Sequence, residues 1–161
     1  MKLLILALTI LLCDLNAARQ RPVPYSAVEV DKFVAAPGVD FPTEYQSALA
    51  DDLAREISLL FPTVAMVHPG EAAPNGHALI RISGVVAFFK PASQVKSRLI
   101  GFGAGGSLVL AQVWFIDAAT GQVLFNRQVK GGVAVSGKGV GDSLARKIAK
   151  FCNAGRLAES N

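Results

Sequence analysis

Cysteine, histidine and charge are all scarce in this chain. Two cysteines and two histidines occur among 161 residues, and charged side chains make up only 17%. Cys13 falls at the end of an apolar N-terminal run, which leaves Cys152 as the one cysteine of the remaining chain. One cysteine makes no internal disulfide, so the domain must hold together through its core. Cys152 stands at helical spacing from Ile148 and beside Phe151, the setting of a small buried hydrophobe rather than a reactive thiol. His68 and His77 lie in one loop with Glu71 between them. Zinc asks for three or four ligands in tetrahedral reach, so no metal site is expected there. No serine, cysteine or threonine stands in a nucleophile elbow. Paired carboxylates for hydrolysis would have to come from Glu29, Asp31, Asp40 and the first helix, where Asp51, Asp52 and Glu56 read as a solvated face. Beyond residue 12 no run is apolar enough to cross a bilayer.

What is abundant is hydrophobic side chains, 52% of the total, enough to build a core. The start of the chain is set apart from that core. Met1-Lys2 is positive, Leu3 to Leu12 is apolar apart from Thr9, and small residues come next at Ala17 and Ala18. That pattern reads as a signal peptide over residues 1–17, cut near Ala17 or Ala18. The expected location is therefore the periplasm or cell envelope. Acylation of Cys13 would anchor the protein to a membrane, but Leu12 stands where a lipoprotein signal wants a small residue. Residues 18–25 form a short linker with Pro22 and Pro24, 26–155 a single domain, and 156–161 a loose tail.

Periodicity assigns the elements. Ser26 to Val34 alternates as a strand. Thr43 begins a helix, with Thr43 and Gln46 at capping-box spacing and Tyr45, Leu49, Leu53, Ile57 and Leu60 on one stripe. Pro62 stops it, and Val64 to Val67 reads as a short parallel strand. Three longer strands come after it. Leu79 to Lys90 places Ile80, Ile82, Val86 and Phe88 on one face; Ser107 to Asp117 is apolar on both; Gln122 to Val135 returns after a turn at Asp117 to Gly121. Asp142 to Cys152 is a second helix. The fold class is α+β, one mixed, mainly antiparallel sheet of about five strands with two packed helices.

Two glycine-rich runs need weighing. Gly101 to Gly106 matches the dinucleotide fingerprint letter by letter, but that chemistry needs a helix behind the glycines and a strand is expected there. Gly132 to Lys138 is nearly a phosphate-binding loop, yet Gly139 stands where a Ser or Thr should hold magnesium. No cofactor is expected. Charge is uneven: Ala18 to Ala78 holds eight acids and four bases, and Leu79 to Asn161 three acids and eleven bases. An anionic partner for the second half explains this, and so does a solvated helix face with strand-edge lysines that discourage sheet pairing.

The run Ser97 to Gly105, the apolar strand after it, and Asp117-Ala118-Ala119-Thr120-Gly121 resemble a bacterial family catalogued as domain of unknown function 4410. The resemblance extends over about residues 27–152. It implies an exported, lipoprotein-like envelope protein with no assigned activity. The reading is a non-enzymatic binding or scaffolding module. Its expected partner surface is Lys90, Lys96, Arg98, Gly101, Phe102, Gly103 and Gly105, facing another envelope protein or an anionic envelope surface and no nucleic acid. A small envelope hydrolase with a site at the same glycines is the alternative. A self-assembling subunit, acidic half against basic half, is the third.

Overall fold

The computed structural model describes residues 25–74, 77–91, 107–133 and 143–154. The expected signal peptide, most of the expected linker, the expected tail and both glycine-rich runs, apart from Gly132 and Val133, lie outside the described residues. In chain order the elements are β1 (Ala27–Val30), β2 (Val34–Ala35), α1 (Thr43–Leu60), β3 (Ala65–Val67), β4 (Leu79–Lys90), β5 (Leu108–Asp117), β6 (Val123–Gly131) and α2 (Ser143–Ala154). The sheet order is β3-β1-β4-β5-β6, with β2 also on β4. β1 pairs in parallel with both β3 and β4, while β4, β5 and β6 form an antiparallel meander. The fold is α+β with one mixed sheet, as the periodicity predicts.

The first strand is two strands. Pairing lapses at Asp31 to Phe33, and β2 rejoins β4 at Val34↔Val85. The lapse lets Phe33 turn fully into the core, where its ring lies on Gly84. A Cβ at Gly84 would fall inside that ring, so this glycine serves close packing.

The expected capping box does not form. The N-cap of α1 is Pro42, without a side-chain cap bond, and Thr43 is already helical. Gln46 instead donates from Nε2 to the Phe41 carbonyl, 3.0 Å away. The apolar stripe is as expected along its middle: Leu49, Leu53 and Ile57 are buried, whereas Leu60 at the end is exposed. Glu56 departs from the solvated-face reading. It is buried, and its Oε2 accepts from Arg146 Nε of α2 at 3.4 Å, joining the two helices.

The fourth strand also corrects the sequence reading. Strict alternation puts Phe88 on the same face as Val86. A register shift between Val86 and Phe88 reverses the faces. Phe88 is exposed, and Phe89 turns inward to meet Phe41 edge-on at 5.1 Å and Tyr45 at 5.0 Å. At the far edge, strand pairing stops at Gly131 rather than continuing to Val135. The helix α2 docks there: Leu144 N donates to Gly132 O, and a Cβ on Gly131 would sit 2.6 Å from the Leu144 backbone.

One face of the sheet carries the core. Val28, Ile80, Ile82, Val86, Val109, Ala111, Val113 and Phe115 pack under Leu49, Leu53 and Ile57 of α1 and Leu144, Ile148 and Cys152 of α2. Burial pushes the Cys152 thiol up to about 12, so it stays protonated and unreactive.

Candidate functional site

With both helices on one side, the other side of the sheet is bare of helix among the described residues. The register defines that outer face. On β5 it carries Leu108, Leu110, Gln112, Trp114 and Ile116, all half-buried. Across from them stand Lys90, Phe88, Val85, Ser83 and Arg81 of β4. On the β6 side stand Lys130, Gln128, Asn126 and Val123. β5 is apolar on both faces, as expected, but among the described residues helices cover only one of them. The exposed Val34 of β2, paired with Val85, extends the apolar strip.

An open hollow of about 510 Å³ interrupts this face, lined by Asp31, Lys32, Val34, Pro69, Ser83, Gly84, Val85 and Trp114. Beside it, Glu29 is 2% exposed although charged. Its Oε2 accepts from Arg81 Nε at 2.9 Å and its Oε1 accepts from Gly70 N at 3.2 Å. One oxygen thus pins the loop after β3 against the sheet, and the other ties β1 to β4. Asp31 is held above the usual carboxylate range, first by burial and then by the charge of Glu29, with Arg81 opposing. A glycosidic or hydrolytic pair needs two free carboxylates in facing positions. Glu29 is committed to its ion pair, which leaves Asp31 with Ser83 and Lys32 and no histidine in the lining.

The turn after β5 is explained by structure. Asp117 Oδ1 accepts from Ala119 N, Thr120 N and Thr120 Oγ1 at 2.8 to 3.0 Å, and Gly121 takes φ +72°. Tyr25 closes the cluster: its hydroxyl donates to Asp117 Oδ2 at 2.7 Å. Tyr25 is pushed up to about 12 by burial and by Asp117, while Asp117 is lowered, chiefly by the Tyr25 bond. The aspartate of this turn is therefore a fold device, with both of its oxygens engaged.

Of the partner-surface residues expected from sequence, Lys90 is exposed at the end of β4, opposite Leu108 on the outer face. Lys96, Arg98, Gly101, Phe102, Gly103 and Gly105 lie outside the described residues. Directly behind the first glycine-rich run, Ser107 is buried. Its hydroxyl donates to the Val133 carbonyl and accepts from Val133 N, and β5 begins at Leu108. A strand thus succeeds the dinucleotide-like run, without the helix N-terminus that would meet a pyrophosphate. The phosphate-loop-like run lies outside the described residues beyond Val133; α2 is described from Ser143, whose hydroxyl accepts from Gly132 N at 2.8 Å. His68, Glu71 and His77 do not converge: Glu71 N closes a turn onto the His68 carbonyl, and the His77 ring lies 3.3 Å from the Ser26 carbonyl. Among the described residues no cluster of three metal-ligating side chains occurs, and no helix is long and apolar enough to cross a membrane.

The outer face is the feature that sequence reasoning misses. Its signal is present, since two helices cannot cover both sides of a five-strand sheet.

No family model matches the chain, and no curated protein does. Solved structures do. The PelC dodecamer from Paraburkholderia phytofirmans is 17% identical, with 78% of this chain and 85% of that chain covered and a TM-score of 0.51. A single-substitution variant of that dodecamer, in another crystal form, is 14% identical, covers 84% and 89%, and has a TM-score of 0.53. Protein XCC0632 from Xanthomonas campestris, of family DUF330, is 10% identical, covers 84% and 85%, and has a TM-score of 0.50. At these identities the likeness is one of fold.

Proposed function

We propose that this chain is an exported module of the bacterial cell envelope that binds or scaffolds other proteins and performs no catalysis. The observation that carries the reading is the outer sheet face. Leu108, Leu110, Trp114 and Ile116 are only half-buried, and Val34 and Phe88 are exposed around them. An apolar strip of this extent on a water-facing surface marks a contact surface. Lys90 and Lys130 stand at its margin, both exposed. The partner of matching chemistry is an envelope protein that presents an apolar surface edged with acids. The expected signal peptide over residues 1–17 and the resemblance to domain of unknown function 4410 support the location.

The non-catalytic part rests on how the polar groups are used. Glu29, Asp117, Ser107 and Ser143 are each bound into turns, ion pairs or strand junctions. That PelC forms a dodecamer on a like fold supports a second reading, in which the partner is a further copy of the chain.

Photo-crosslinking from positions 88 and 110, with the exposed position 119 at the turn between β5 and β6 as control, tests the module reading. Discrete protein adducts from 88 and 110 but not 119 are expected in whole envelopes. No adduct from either sheet position would overturn it.

A further inference from the structure

The charge asymmetry of the sequence becomes a spatial one in the fold. Residues 25–74 build β1, β2, α1 and β3, the β3 end of the sheet, and hold eight acids and two bases. β6 and α2 build the opposite end and hold five bases, Arg127, Lys130, Arg146, Lys147 and Lys150, and no acid. Where the helices touch inside one chain, the two charges already pair as Arg146 with Glu56. The other four bases are exposed. Lys147 Nζ donates to the Lys130 carbonyl at 2.7 Å, which fixes the basic side of α2 beside the edge strand.

Each end also carries apolar side chains in water. Leu59 at 71%, Leu60 and Met66 are exposed near the β3 edge, and Val123 and Leu124 near the start of β6. Exposed acids at the β3 end are Asp40, Glu44, Asp51 and Glu71. An apolar centre with a charged margin is the ordinary anatomy of a protein contact.

We infer that the occupant of the basic β6–α2 end is the acidic β3–α1 end of a second copy of this chain. The two surfaces lie at opposite ends of one sheet, so the contact is head to tail. Every copy added leaves one basic and one acidic end open, and the assembly grows past a dimer until it closes or extends. This rests on the reading of the chain as a binding module and names one partner for it. The basic end shares Lys130 and Val123 with the rim of the outer sheet face but takes in neither Phe88 nor Leu110, so crosslinking from positions 88 and 110 can succeed or fail independently.

The competing explanation is that Arg127 and Lys130 only keep β6 from pairing with stray strands. The two explanations predict opposite responses to charge reversal. Sedimentation velocity of the full chain, as the producing cell processes it, tells them apart at about 0.01 M and about 1 M salt, where the screening length falls from about 30 to about 3 Å. Species larger than a dimer are expected at low salt and monomer at high salt. K147E/K150E cuts the basic end from five net positive charges to one, and E44K/D51K cuts the acidic end from six net negative charges to two, while each variant keeps its other end intact. Each variant alone is expected to associate at least about tenfold more weakly than the parent, and an equimolar mixture of the two to regain assembly, because opposite ends meet again. Circular dichroism establishes that each variant is folded, and the regained assembly excludes misfolding as the cause. A parent that stays monomeric at low salt overturns the inference. So does assembly indifferent to salt and to both reversals, or association that strengthens when the lysines are reversed.

Discussion

Gly131 is the residue on which the helix α2 depends. A Cβ there would stand 2.6 Å from Leu144 Cα and N, and backbone cannot yield as a side-chain tip can. Gly131→Ala is expected to destabilise the fold by about 1–3 kcal/mol, the usual cost of forced overpacking, measured by chemical denaturation. Tyr25 and Asp117 give a second prediction. The folded carboxyl of Asp117 lies below its usual range, so its contribution is present above the unfolded value near about 4 and is lost as pH falls through the folded one. The stability gap between the parent and Asp117→Asn should therefore be full at neutral pH and close in acid. A gap that stays constant down the acid limb would contradict the Tyr25–Asp117 geometry. Tyr25 has the opposite sign: raised to about 12, it supports the fold below its unfolded value and loses that support as pH climbs through about 12. Sequence alone reads the Asp117 turn correctly, because a short polar residue and a glycine state their geometry locally. It cannot read Tyr25, 92 positions away in the chain, as the partner of Asp117.

Among the elements, periodicity is legible where strands are straight and fails where they bend. α1, β3, β5 and α2 lie close to where the spacing of apolar residues puts them. β4 does not keep its alternation, because the bulge between Val86 and Phe88 exchanges its faces. Consecutive phenylalanines hide that exchange from the sequence, since either Phe88 or Phe89 can be drawn as the inward one. Phe89→Ala should cost about 3 kcal/mol through lost packing on Phe41 and Tyr45, and Phe88→Ala less than about 0.5 kcal/mol. Equilibrium unfolding of the two variants checks the ranking, and equal costs would contradict the bulge. The capping box fails for a related reason. Pro42 occupies the cap position with φ −60° and ψ 148°, so Thr43 enters the helix one residue early and Gln46 satisfies Phe41 instead.

For the molecule as a whole, the informative fact is the imbalance between sheet and helices. Six strands need cover on two sides, and among the described residues two helices supply one. The candidate site is legible in the sequence only at its rim, through Lys90, because a strand apolar on both faces signals burial without saying what buries it. On the proposed reading, the two-sided apolarity of β5 is the trace of a contact with a partner. The charge imbalance between halves is legible as a sum, and the sheet order turns it into two ends.

The functional reading stands or falls on whether a protein partner covers the outer sheet face where the protein works. Hydroxyl-radical footprinting of Phe88, Leu110 and Trp114 decides this, with the purified chain compared against intact cells and the denatured chain as the reference for full exposure. Ready modification is expected in the purified protein and marked protection in cells. Equal modification of the three residues in both settings would contradict the reading.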